Sequence, residues 1–96
     1  MAIIGTVRQQ PRDVQDYDID FDEWFPVGDT IVQSSVSSVP IMPIPATSVI
    51  SPNRRSLKVW VYEGGVSGVT YQLTIRASTN DGRAKEVELK VRIREV

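Results

Sequence analysis

At 96 residues the chain has room for one small domain, since domains commonly run to about 100–200 residues. It contains no cysteine and no histidine, which excludes disulfide staples, thiolate metal sites and the usual general base near neutral pH. The formal net charge of -1 is too close to neutral for avid binding to nucleic acid.

The average hides an asymmetry. Residues 1–30 hold Arg8 and Arg12 against seven acidic residues, a balance of -5, while residues 31–96 hold nine basic against five acidic, a balance of +4. Opposed charges of this kind meet inside a fold or across a subunit contact. A chain this short buries only about 60–65% of its extended surface, so the core is thin and oligomerisation would help it. There is no apolar run of membrane-spanning length. The opening "MAIIGTVRQQPRD" lacks a basic start followed by a longer apolar region, so no signal peptide is expected and the cytoplasm is the expected site of synthesis.

Residues 1–12 read as an arm ahead of a single domain, 13–96. Within it "AIIGTV" suits an edge strand interrupted by Gly5, and Pro11 breaks any regular structure in "QQPR". In "YDIDF", Tyr17, Ile19 and Phe21 alternate with Asp16, Asp18, Asp20 and Asp22, the pattern of a half-buried strand. Asp22 is placed to cap one helical turn containing Glu23, Trp24 and Phe25, which Pro26 ends. Trp24 and Phe25 are then expected to close one end of the core.

"TIVQSSVSSV" reads as a soft strand in which Ile31 and Val32 pack. Pro40, Pro43, Pro45 and Pro52 restrict the next stretch to extended or edge geometry, with "ATSVIS" as a short strand holding Val49 or Ile50 against the core. "SPNRRS" is a turn with Pro52 at its second position, leaving Arg54 and Arg55 exposed at its exit. Leu57, Val59 and Val61 share one face of the next strand, and Lys58, Trp60 and Tyr62 the other. "GGVSG" is a turn without the Lys and Ser/Thr of a phosphate loop. The chain then forms a hairpin. Tyr71, Leu73, Ile75 and Ala77 face inward on one strand, and Val87, Leu89, Val91 and Ile93 on its return; Asn80, Asp81 and Gly82 make the turn. Arg76 then lies across from Glu86 or Glu88. Six or seven short strands without a long helix indicate an all-β fold, a small antiparallel immunoglobulin-like sandwich, with a small open barrel as the alternative.

Chemistry is sparse. The acidic ladder Asp16, Asp18, Asp20, Asp22 offers carboxylates, but an EF-hand loop begun at Asp18 puts Glu23 at its sixth position and Asp29 at its twelfth, where glycine and glutamate are needed. The ladder reads instead as a solvated edge or a docking face for a basic partner. The serines have no histidine to activate them, and a paired-carboxylate glycosidase site needs a cleft rare in so small a domain. An enzyme is therefore not expected, nor a cofactor or bound metal. Lys58, Trp60 and Tyr62, with Arg54 and Arg55 near in sequence, suit nucleic-acid stacking or a protein contact equally in residue type; packing beneath the N-terminal arm is the ordinary alternative.

The order "DYDIDFDEWFPVGDTI" then "LKVWVYEGGVSGVTYQLTIRASTNDGRAKEVELKVRIRE" resembles small proteins from the structural modules of tailed phages and prophages, described as fibre-tail adaptor or head-tail proteins. Asp16 and Tyr17, then Trp24, then the "GDTI" from Gly28 to Ile31 carry the likeness, with the two long stretches that close the chain. Residues 33–56 depart from it. The resemblance implies a virion component assembled in the bacterial host cytoplasm, with an immunoglobulin-like β fold and no catalytic residues. Its expected partners are other phage structural proteins and, as an option, further copies of itself; membrane and nucleic acid are not expected. The contact is expected on the arm and on Trp60, Tyr62, Lys58, Arg54, Arg55, Asp18 and Asp20. A carbohydrate- or surface-binding sandwich displaying Trp60 and Tyr62 is the competing reading.

Overall fold

The period-two patterning becomes seven strands in two sheets. The computed structural model describes the backbone of residues 2–95 and the side chains of residues 5–95. Met1, where the expected arm begins, and Val96, where the expected domain ends, lie outside the described residues. The strands are β1 (Ala2–Gln9), β2 (Gln15–Asp20), β3 (Ile31–Val39), β4 (Thr47–Ile50), β5 (Ser56–Val61), β6 (Thr70–Thr79) and β7 (Ala84–Ile93). One sheet runs β1-β7-β6-β3, the other β2-β5-β4. Among the described residues no helix is long and apolar enough to cross a membrane.

The β6–β7 hairpin is the spine. Leu73 faces Leu89, Ile75 faces Val87 and Tyr71 faces Val91 across it, and all six are buried. Each such aliphatic side chain contributes about 1.5–3 kcal/mol on burial. The outward pair Arg76–Glu86, 3.2 Å apart and exposed, contributes at most about 1 kcal/mol. Thr79 N donates to Arg83 O across the turn, and Gly82 occupies its left-handed position at φ 89°. The second sheet supplies Ile19, Leu57, Val59 and Val61 to the same core.

One pairing departs from the expected antiparallel plan: β1 runs parallel to β7, with a register shift between Ile3 and Gly5. The chain crosses from one sheet to the other within residues 10–14, so β1 and β2 belong to different sheets. Gln9 is buried at the crossing and fully engaged: it donates to the carbonyls of Asp13 and Val61 and accepts from the Tyr17 hydroxyl.

The segment after β2 closes one end of the core. Phe21 N donates to Arg55 O, and Phe21 O accepts from Trp24 N and Phe25 N, making a single turn. Phe21 stacks on Phe25 and meets Trp24 edge-on, both at 5.6 Å between centroids. The expected cap differs in one detail. Asp20, not Asp22, turns its carboxylate inward along the chain, accepting from Asp22 N at 2.8 Å, because β2 ends one residue before the turn begins. Val32 also departs from expectation: a register shift between Ile31 and Gln33 turns it to solvent while Ile31 is buried.

Candidate docking face

The outer face of the second sheet gathers most of the residues that the sequence marks as contact candidates. Across β2, β5 and β4 the rows are Asp16–Trp60–Thr47 and Asp18–Lys58–Val49. Lys58 Nζ stands 3.0 Å from an Asp16 oxygen and 3.7 Å from one of Asp18. The hydrogen bond from Lys58 holds the Asp16 carboxyl below its ordinary pKa, and the same bond, with the charge of Asp18, raises that of Lys58. Tyr62 continues the aromatic row and shares a 2.9 Å hydrogen bond with the Thr47 hydroxyl. β1 lies in the other sheet, beside β7. Among the described residues no group of three or more acidic side chains is arranged to hold a metal.

Arg54 and Arg55 part company. Arg54 ends the turn, its N–H bonded to Ser51 O and its backbone at φ 57°, with the side chain in solvent. Arg55 corrects the expectation of exposure, its side chain being only 18% accessible. It ties down the 21–30 segment, donating to the carbonyls of Phe25, Pro26 and Asp29 and to the Asp22 carboxylate at 2.6 Å. The guanidinium's planar fork reaches several acceptors at once, which explains why an arginine next to a turn folds inward here.

Asp29 is a second hidden anchor, 2% exposed. Its carboxylate accepts from the N–H groups of Thr30 and Asp81 and from Arg83, tying the 21–30 segment to the hairpin turn. Burial pushes its pKa up, but the hydrogen bonds from Thr79, Arg83, Asp81 and Thr30 outweigh this and leave it below the ordinary 3.8. A depressed folded pKa means a contribution fully present above pH 3.8 and lost as pH falls through the lower folded value. Asp29→Asn is therefore expected to lower the urea midpoint at neutral pH. Its deficit against the parent should narrow in acid below pH 3.8, and a deficit of constant size across that range would refute this account.

Sequence reasoning missed the uncharged rim where β3 of the first sheet passes into β4 of the second. From Thr30 to Asn53 the chain has no charged residue. This stretch forms β3, the proline loop and β4, with Met42 buried as the loop's anchor. Around that anchor Val39 is 72% and Ile41 86% exposed, and Ile44 and Val49 are open too. Clustered exposed aliphatic side chains are the kind of surface that protein contacts use. The uncharged run itself was the available signal. The outer face thus grades from an acidic edge on β2, through Lys58 and the aromatics, to an apolar edge at β4.

The family model described as "Podophage GP4 fiber-tail adaptor protein gp77" matches residues 9–92. No curated protein matches the chain.

Proposed function

The chain belongs to the podophage GP4 fiber-tail adaptor family, and on that basis we propose that it is a non-enzymatic joining piece of a phage particle, built in the host cytoplasm, that holds other tail or fibre proteins through the outer face of its second sheet. The observation that carries this reading is the face itself. Trp60 stands on the central strand between acidic β2 and uncharged β4, and Tyr62 follows at the end of that strand, so two edges of different chemistry are offered on one small body. Trp, Tyr and Arg are the side chains that most often dominate binding energy at protein contacts. Residues 1–12, whose strand β1 forms one edge of the first sheet beside β7, share the contact in this reading, and identical copies arrayed on a symmetric tail would bind with added avidity. The immunoglobulin-like layout is supported by the strand order, three strands facing a sheet in which the first strand joins the last.

Trp60→Ala tests it. The side chain projects from the outer face and is only partly covered, so the fold is expected to survive, as a circular-dichroism melt close to the parent's would show. Incorporation into particles, measured by mass spectrometry of purified virions, is expected to fall at least tenfold, the equivalent of losing about 1.4 kcal/mol of contact. Full incorporation of Trp60→Ala together with Tyr62→Ala would remove this face from the joining role. A carbohydrate-binding role has less behind it, since five surface clefts of about 200–540 Å³ are lined by residues other than Trp60 and Tyr62.

A further inference from the structure

We propose that the free edge of β2 accepts, as an added strand, an extended segment of a neighbouring virion protein in which Lys or Arg alternates with apolar residues. The inference rests on the adaptor reading and names the chemistry of one partner.

Main-chain geometry comes first. In an antiparallel pair, facing residues alternate between those that exchange both main-chain hydrogen bonds and those that exchange none. Phe21 N donates to Arg55 O at 3.0 Å, and these two continue the register in which Asp20 faces Ser56. Ile19–Leu57 and Tyr17–Val59 are therefore bonded pairs of the same kind. The N–H and C=O groups of Asp16, Asp18 and Asp20 consequently point away from β5. β2 is the last strand of its sheet, and among the described residues no strand pairs with its other side. A row of aligned donors and acceptors at a free edge is what strand addition uses.

The space beside that edge is open. A cleft of about 540 Å³ lies between β1 and β2, with Val7, Tyr17, Ile19 and Leu89 in its lining. Tyr17 and Gln9, joined by a 2.9 Å hydrogen bond, stand near one end of β2.

Period two then specifies the occupant. Side chains on one face of an added strand would enter the cleft over Tyr17 and Ile19, and must be apolar. Those on the other face would stand beside the carboxylates of Asp16, Asp18 and Asp20. One ammonium, Lys58, is shared by Asp16 and Asp18, so the edge keeps a negative excess that basic side chains complement. The chain has such a pattern itself in "KVRI" at the end of β7, but that strand is held between β6 and β1. The occupant is therefore assigned to another protein rather than to a second copy.

The test uses the whole chain, isotope-labelled, and a blocked eight-residue peptide alternating lysine and valine. Titration is expected to shift the amide signals of Asp16, Asp18 and Asp20 and to slow their hydrogen exchange. A glutamate–valine peptide, and a lysine–valine peptide N-methylated at alternate residues, are each expected to bind at least tenfold more weakly. Asp18→Pro removes an N–H directed to solvent, which edge strands tolerate; it should abolish the peptide shifts while the hairpin signals stay in place. Asp18→Lys, which keeps the N–H, should weaken binding at least tenfold and covers the case in which the proline variant does not fold. Equal binding of the N-methylated peptide, shifts centred on β4 rather than β2, or no binding at millimolar peptide would each overturn the proposal. Self-association of the chain abolished by Asp18→Pro would overturn it too, by seating a second copy on the edge. Virions that incorporate Asp18→Pro normally but lose Trp60→Ala would reject this edge while leaving the adaptor reading intact.

Discussion

Phe21→Ala is expected to destabilise the protein by about 4 kcal/mol, the middle of the range for deleting a fully buried phenylalanine. Phe21 is 0% exposed and stands where three constraints meet. Its ring stacks on Phe25 and meets the edge of Trp24, its N–H bonds to Arg55 O, and its carbonyl closes the turn that carries both aromatic neighbours. Alanine keeps the main-chain bonds but removes the ring against which the other two are placed. Trp24, over which Lys85 Nζ lies 5.3 Å from the ring centroid, would then lose its edge-on aromatic neighbour. A domain of this size is commonly stable by only about 5–10 kcal/mol, so much of the total is at stake. Thermal unfolding should move down by roughly 15–30 °C, taking 4–8 °C for each kcal/mol. Val27→Ala is the control a few residues away on the same segment, at a side chain wholly in solvent, and should change stability by less than about 0.5 kcal/mol. A loss below about 1 kcal/mol for Phe21→Ala would mean that this end of the core is not packed as described.

Local patterning made the hairpin legible. Tyr71, Leu73 and Ile75 alternate with polar residues over a strand long enough for the period to be unmistakable, and Asn80–Gly82 mark its turn, so faces and register emerge together. The same rule placed Leu57, Val59 and Val61 inside. It had no purchase on β1, whose partner β7 lies at the far end of the chain and whose pairing is parallel; nothing in "AIIGTV" names a strand some eighty residues away. Val32 escapes the pattern for a related reason. A bulge shifts the period by one residue, and a period count assumes that no such shift occurs.

The site divides in the same way. Lys58, Trp60 and Tyr62 share a face because they alternate with Leu57, Val59 and Val61, and the acidic ladder joins them because β2 pairs with β5. Charge counting found the acidic edge but passed over the apolar one, because exposed Ile41 and Val39 sit among prolines and serines that read as an ordinary loop. Composition by windows would have exposed it: no other stretch of the chain is so long without a charge. Which main-chain groups of β2 face the open edge depends on a single bond, Phe21 N to Arg55 O, and that phase is invisible to any pattern of side chains.

Arg55→Lys is expected to lose nearly as much stability as Arg55→Ala, about 2–3 kcal/mol, the worth of one or two hydrogen bonds from a charged donor. The argument turns on geometry rather than charge. Arg55 engages the Asp22 carboxylate through Nε, the carbonyls of Pro26 and Asp29 through Nη1 and that of Phe25 through Nη2. These acceptors lie around a planar fork, and a lysine ammonium on a single stem cannot meet all of them. What the lysine would keep is its attraction to Asp22, whose side chain is 61% exposed, and an ion pair so open to water contributes little. The freed carbonyls belong to the segment that carries Phe25 and leads to Asp29, so its loss should spread to the packing around Phe21 and to the bonds from Thr30 and Asp81. Hydrogen exchange separates this from a general weakening. Amides from Trp24 to Ile31 should lose protection first in Arg55→Lys, while those at the centre of the β6–β7 hairpin, which Arg55 does not touch, open only with global unfolding. If lysine retains full stability, the charge alone holds the segment and the fork is incidental; if lysine falls with alanine, one arginine adjoining a turn fixes the loop that completes the core.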